Sequence, residues 1–187
     1  MHQSTPAATE FLRQRGAARL PHPGGTLLTH LLRVARLLDA WGADPDVQIA
    51  GLCHAAYGTD GFDQALVEPA ERELLVELIG ERAEALVRLY AGCDRGFVYP
   101  QVGGGRPVVF RDRFTGREFV PAEPELRGFW GITAANELDV LAHNPELADR
   151  YGSALCGLFA RAGELLPAPA REAWARQLGA PDGPCAR

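Results

Sequence analysis

The stretch Asp44-Pro45-Asp46-Val47-Gln48-Ile49-Ala50-Gly51-Leu52-Cys53-His54-Ala55-Ala56 decides the fold. An Asp-Pro pair opens a helix well, because proline has no N–H to lose in the first turn. Val47, Ile49, Ala50, Leu52 and Cys53 then leave almost no polar face, so this helix must be central and buried. A histidine at its end, just before Tyr57-Gly58-Thr59-Asp60-Gly61 breaks the pattern, has to find a polar partner.

The neighbouring segments read as helices around that centre. Leu27, Leu31, Val34, Leu38 and Trp41 recur at helical spacing from Thr26 to Trp41, where Gly42 stops the run. A short helix precedes it between Ser4 and Gly16, followed by a loop with Pro21, Pro23, Gly24 and Gly25. Downstream, helical patterns run over 69–79, and past Gly80 to about Tyr90, as one kinked helix or two. Further helices are expected from about Leu126 to His143, from Pro145 to Leu166 and from Ala168 to Leu178. Between them, Asp94 to Pro107 reads as an extended loop. Val108-Val109-Phe110 and Glu118-Phe119-Val120 flank Thr115-Gly116 as a β-hairpin. The expectation is one domain over residues 1–187, with its core at about 20–166 and a mobile tail at 180–187.

Composition narrows the chemistry. All 19 basic residues are arginine, which excludes a Schiff-base lysine, a lysine base and a P-loop lysine. This bias fits a GC-rich genome. The net charge of −5 argues against non-specific nucleic-acid binding. No apolar run is long enough to span a bilayer, and the N-terminus does not read as a secretory signal. Cys53, Cys93, Cys156 and Cys185 are scattered, as expected of reduced thiols in a cytoplasmic protein.

Five histidines carry most of the chemical interest. His30 and His54 lie on successive helices that must pack together, and neutral imidazole is the commonest metal ligand. The plainer alternative is a core histidine bonded to a backbone carbonyl. Asn136 and Asp139 sit three residues apart on one side of a later helix. Asp139 would be a third ligand, or else it faces solvent or pairs with a nearby arginine. Tyr57 and Thr59 follow His54 directly and are candidate hydrogen-bonding or acid–base groups, as is His22. Asp60, Asp63 and His143 are further possible donors. Arg95, Arg111 and Arg113 could hold an anionic substrate if their segment folds over the pocket; otherwise they are solvated hairpin charges.

The order of Thr29-His30-Leu31-Leu32-Arg33-Val34, then Ala50-Gly51-Leu52-Cys53-His54, then Asn136-Glu137-Leu138-Asp139-Val140-Leu141 resembles the HD-domain superfamily. That group of all-helical, metal-dependent enzymes includes the guanosine-tetraphosphate hydrolases and the inositol-oxygenase type. The run His54-Ala55-Ala56-Tyr57-Gly58-Thr59 is similar to an uncharacterised offshoot with a His-x-x-Tyr-Gly-Thr sequence. The resemblance implies an all-α, HD-like helical bundle with a small β-hairpin insertion. It implies a divalent metal, iron before zinc or manganese, on His30, His54 and Asp139. It departs at Ala55, where the superfamily has its metal-binding aspartate, and at Gly58 and Thr59, where the hydrolases carry acidic residues.

The expected function is a small-molecule enzyme of bacterial biosynthetic metabolism, oxygenase-like because two histidines and a carboxylate form a facial triad. The alternatives are a phosphoester hydrolase, or a metal-free binding protein, cyclase or isomerase on a degenerate HD fold. The expected partner is a small, anionic molecule.

Overall fold

A computed structural model describes residues 4–178. The described chain is all-α with two small two-stranded sheets. Its helices are α1 (Thr5–Gln14), α2 (Leu27–Ala40), α3 (Pro45–Cys53), α4 (Arg72–Ile79), α5 (Glu81–Gly92), α6 (Arg95–Val98), α7 (Glu123–His143), α8 (Pro145–Ala162) and α9 (Ala168–Leu178).

Helix α3 is the centre, as its composition demands. Every residue from Gln48 to Cys53 is buried, and Asp44 caps its first turn by accepting from the Asp46 N–H. Helices α2, α5 and α7 pack around it. The α2–α3 contact is close because Gly51 lies against Leu38; a Cβ on Gly51 would stand 2.2 Å from Leu38 Cδ1. That approach brings the end of α3, and so His54, beside His30 on α2. Thr26 caps α2 through its hydroxyl, which accepts from the Thr29 N–H. Helix α7 is buried along most of its length and carries Asn136 and Asp139 against α2.

The expected hairpin is present, with β3 (Phe110–Arg111) antiparallel to β4 (Glu118–Phe119). A second ribbon, β1 (Pro21–His22) with β2 (Gly25–Thr26), lies where only a loop was expected. Two prolines and two glycines disguise it, since neither residue type signals a strand. Gly80, at φ +87°, separates α4 from α5, so the segment after Pro69 is two helices. The run from Pro145 to Leu166 is likewise shorter than expected, ending at Ala162 before a single 3₁₀ turn. The loop after Asp94 contains α6, because the Asp94 carboxylate accepts from the Phe97 N–H and caps a helical turn. Cys53 and Cys93 are buried free thiols, but Cys156 is disulfide-bonded, which corrects the expectation that all four cysteines are reduced. The tail at 180–187 lies outside the described residues. No described helix is long and apolar enough to cross a membrane.

Candidate functional site

Three imidazoles meet where β1, α2 and the end of α3 converge. The His22 ring stacks on His30 with centroids 4.0 Å apart. His54 stands edge-on to His30 at 5.3 Å, and its other side meets Tyr90 at 5.1 Å.

His30 is fully buried and bound at both ring nitrogens. Nδ1 is 2.7 Å from Asp139 Oδ2, and Nε2 is 3.0 Å from Asn136 Oδ1. The Asn136 amide N–H donates to Glu137 Oε1 at 3.1 Å, which fixes its oxygen toward His30. Both His30 contacts are hydrogen bonds at once when both ring nitrogens carry hydrogen. Asp139 is saturated too. Arg33 donates through Nε to Oδ1 at 2.6 Å and through Nη2 to Oδ2 at 2.8 Å, a bidentate pair. Arg33 is itself anchored on the Pro23 and Gly24 carbonyls. Burial opposes ionisation of Asp139, but the bonds from His30 and Arg33 prevail and pull it down to about 2.

His54 has a different environment. Its Nδ1–H donates to the Gly51 carbonyl at 2.8 Å, leaving the lone pair of the neutral ring on Nε2. Burial, with the nearby His30 ring, pushes His54 down to about 3. Burial and His30 also hold His22 at about 4. The His22 Nδ1 is buried without a hydrogen-bond partner, and a backbone contact of the ring with Pro23 only partly offsets the downward shift. Two neutral imidazoles therefore stand at one site over the physiological range.

That site is a cavity of about 270 Å³ lined by His22, His54, Thr59, Asp60, Arg95, Asn136 and Glu137 among others. Arg95 reaches it with its charge already engaged: it donates to Glu137 Oε1 at 3.2 Å and to the Tyr90 hydroxyl at 3.0 Å. Asp60 Oδ2 accepts from the Arg95 backbone N–H at 2.9 Å. Thr59 is held by a two-way backbone bridge to Phe62.

The cavity unites His22, His54, Thr59 and Arg95 of the expected set, with His30 immediately behind it. The others lie elsewhere. Asp139 lines a separate cleft with Arg33 and His143. Tyr57 turns away and donates its hydroxyl to Glu84 Oε1 at 2.9 Å, in a buried network completed by Arg72. Arg111 pairs with Glu118 and stacks on Phe97, and Arg113 donates to the Ala91 carbonyl. They do not line the cavity, and the hairpin does not carry them over it. Three contributors had no role in the sequence reading: Arg33, Glu137 and Tyr90. Arg33 had a signal, because His30 and Arg33 are three apart on α2 and face Asn136 and Asp139, three apart on α7.

The metal triad implied by the HD resemblance does not fit these residues. Both Asp139 oxygens are occupied by Arg33 and His30, and a cation there would face the guanidinium at close range. Both His30 nitrogens are also engaged. Among the described residues, no group of three or more His, Cys, Asp or Glu is arranged to hold a metal ion.

A family described as a domain of unknown function (DUF6817) matches residues 11–95, just under half of the chain. The matched part carries His22, His30, Arg33, His54 and Thr59; Asn136 and Glu137 lie beyond it. No curated protein and no solved structure matches.

Proposed function

We propose that the chain takes a small, uncharged polar molecule into the His54 cavity, as a binding protein or as a metal-independent isomerase or cyclase on a degenerate HD-like fold. The observation that carries this reading is the Arg33–Asp139–His30 arrangement, which spends the would-be metal ligands on one another. What remains toward the cavity is an acceptor, the neutral His54 Nε2. Thr59 adds a hydroxyl and Asn136 an amide held in one orientation. Those groups hydrogen-bond a hydroxyl or carbonyl, with the His54 Nε2 lone pair accepting from the hydroxyl of the bound molecule. The positive charge of Arg95 is balanced by Glu137, and Asp60 adds a negative one, so an anion gains little there.

Metal analysis of protein purified without chelator, and again after anaerobic loading with iron(II), tests the reading. Less than a tenth of an equivalent of metal is expected. One equivalent that disappears in His54→Ala would sink it.

A second reading keeps the HD-type metal chemistry, as an oxygenase or a phosphoester hydrolase. One observation favours it: His22 and His54 bring two neutral imidazoles to one cavity, and the His22 Nδ1 is poorly satisfied. Iron, zinc or manganese would then rest on His22 and His54 alone, with the remaining positions filled by the bound molecule, since no third protein ligand is arranged beside them among the described residues. The same analysis of His22→Ala distinguishes it.

A further inference from the structure

A second depression lies against the first. It is a groove of about 590 Å³ between α6, α7 and α8, walled by Tyr99, Leu141, Tyr151, Leu155, Leu158 and Arg161. Its walls are mostly apolar, and Tyr151 is 42% exposed in it, one of few large hydrophobic side chains left open to water. Arg95, Glu137, Val140 and Leu147 line both the groove and the His54 cavity. The two spaces therefore adjoin across four shared residues, two of them an ion pair and two of them apolar. The Tyr99 hydroxyl on the groove wall is buried without a hydrogen-bond partner.

We infer that the two spaces form one bipartite site for an amphipathic small molecule, with an uncharged polar head against His54, Thr59 and Asn136 and an apolar body along α7 and α8. This deepens the proposed function and rests on it. The charge pattern selects the head. Asp60 and Glu137 outnumber Arg95 at the cavity, so an alcohol or carbonyl is preferred over a carboxylate. The shape selects the body. Val140 and Leu147 are the apolar residues shared by the two spaces beside the Arg95–Glu137 pair, and Leu155 and Leu158 continue the apolar wall along α8. Burial of each methylene then adds affinity, whereas a molecule confined to the 270 Å³ cavity gains nothing from a longer chain.

The full chain, labelled with nitrogen-15 in histidine, is titrated with the primary alcohols from butan-1-ol to decan-1-ol and with octanoate. Calorimetry reads affinity and the His54 ring signals report on the head site. We expect Kd to fall about fourfold per methylene. Octan-1-ol should bind more tightly than octanoate, and every alcohol should move the His54 signals. Ala154→Trp, an exposed position on the groove wall, should weaken decan-1-ol roughly tenfold and leave the His54 shift with butan-1-ol unchanged. A flat chain-length series with intact His54 shifts would overturn the bipartite site and leave the proposed function standing. Tighter binding of octanoate would overturn the uncharged head. Alcohols that bind without moving His54 would defeat both.

Discussion

His30 Nδ1 lies 2.7 Å from Asp139 Oδ2, joining α2 to α7 across 109 residues of chain. Arg33 grips the same carboxylate from one turn further along α2. Both side chains of the His30–Asp139 pair are at most 3% exposed, so the Arg33–Asp139 ion pair is closed off from solvent on the His30 side. Removing one member leaves buried charge without a partner, which costs far more than losing a surface pair.

Asp139→Ala is accordingly expected to destabilise the fold by about 3–5 kcal/mol. Arg33→Lys, which keeps the charge but loses the bidentate geometry, should lose less. Urea denaturation followed by far-ultraviolet circular dichroism separates the two, and equal losses would contradict the bidentate role.

Acid should unfold the protein in two stages. The folded-state values of His54 and His22, about 3 and 4, lie below the ordinary histidine value. The unfolded chain therefore takes up protons first. Stability is complete above about pH 6.5 and falls as pH drops toward 4 and 3. Asp139, held near 2, contributes stability that is present above the ordinary carboxylate range and is lost as pH falls through 2. His54→Gln should flatten the first stage. A stability profile that stays level from pH 7 to pH 4 in the unaltered protein would refute the neutral, buried His54.

Two glycines set the geometry of the site. Gly51→Ala would drive a methyl into Leu38, and such overpacking costs about 1–3 kcal/mol. It should also change the His54 ring environment, because α3 must back away from α2. Gly24, at φ +75°, stands where a Cβ would meet His143 Cδ2 at 2.5 Å, and its carbonyl accepts from Arg33. Gly24→Ala should therefore lower the thermal midpoint and weaken the Arg33–Asp139 pair as well. Thermal melts and histidine spectra check both substitutions.

Tyr57 tests the division between framework and site. Its hydroxyl serves Glu84, a fully buried carboxylate that Arg72 also binds. Tyr57→Phe should cost about 1–3 kcal/mol of stability by leaving that carboxylate short of a donor. Ligand affinity at the His54 cavity should remain unchanged. A selective loss of affinity without loss of stability would return Tyr57 to the site.

The helices were legible in the chain because their signals are local. Apolar periodicity over 26–41, the nearly all-apolar character of α3 and the interruption at Gly80 depend on residues a few positions apart, although only the structure decides that Gly80 divides two helices. The polar ends of the site were half legible. His30, His54, Asn136 and Asp139 could be singled out from helical faces and from the cost of burying imidazole. Both plainer alternatives for them are realised, since His54 bonds the Gly51 carbonyl and Asp139 pairs with an arginine. Only the resemblance to the HD-domain superfamily joins three of them into a metal triad.

Residue order and side-chain type thus settle that this chain is a helical bundle with histidines at the join of α2 and α3. The choice of partners belongs to the packed molecule. Whether Asp139 meets a cation or Arg33, and whether Tyr57 faces the cavity or Glu84, turns on helix rotations of a few tens of degrees. Those rotations are set by contacts between different helices, such as Gly51 of α3 against Leu38 of α2 and, far along the chain, α7 against α2, and no pattern within one helix records them.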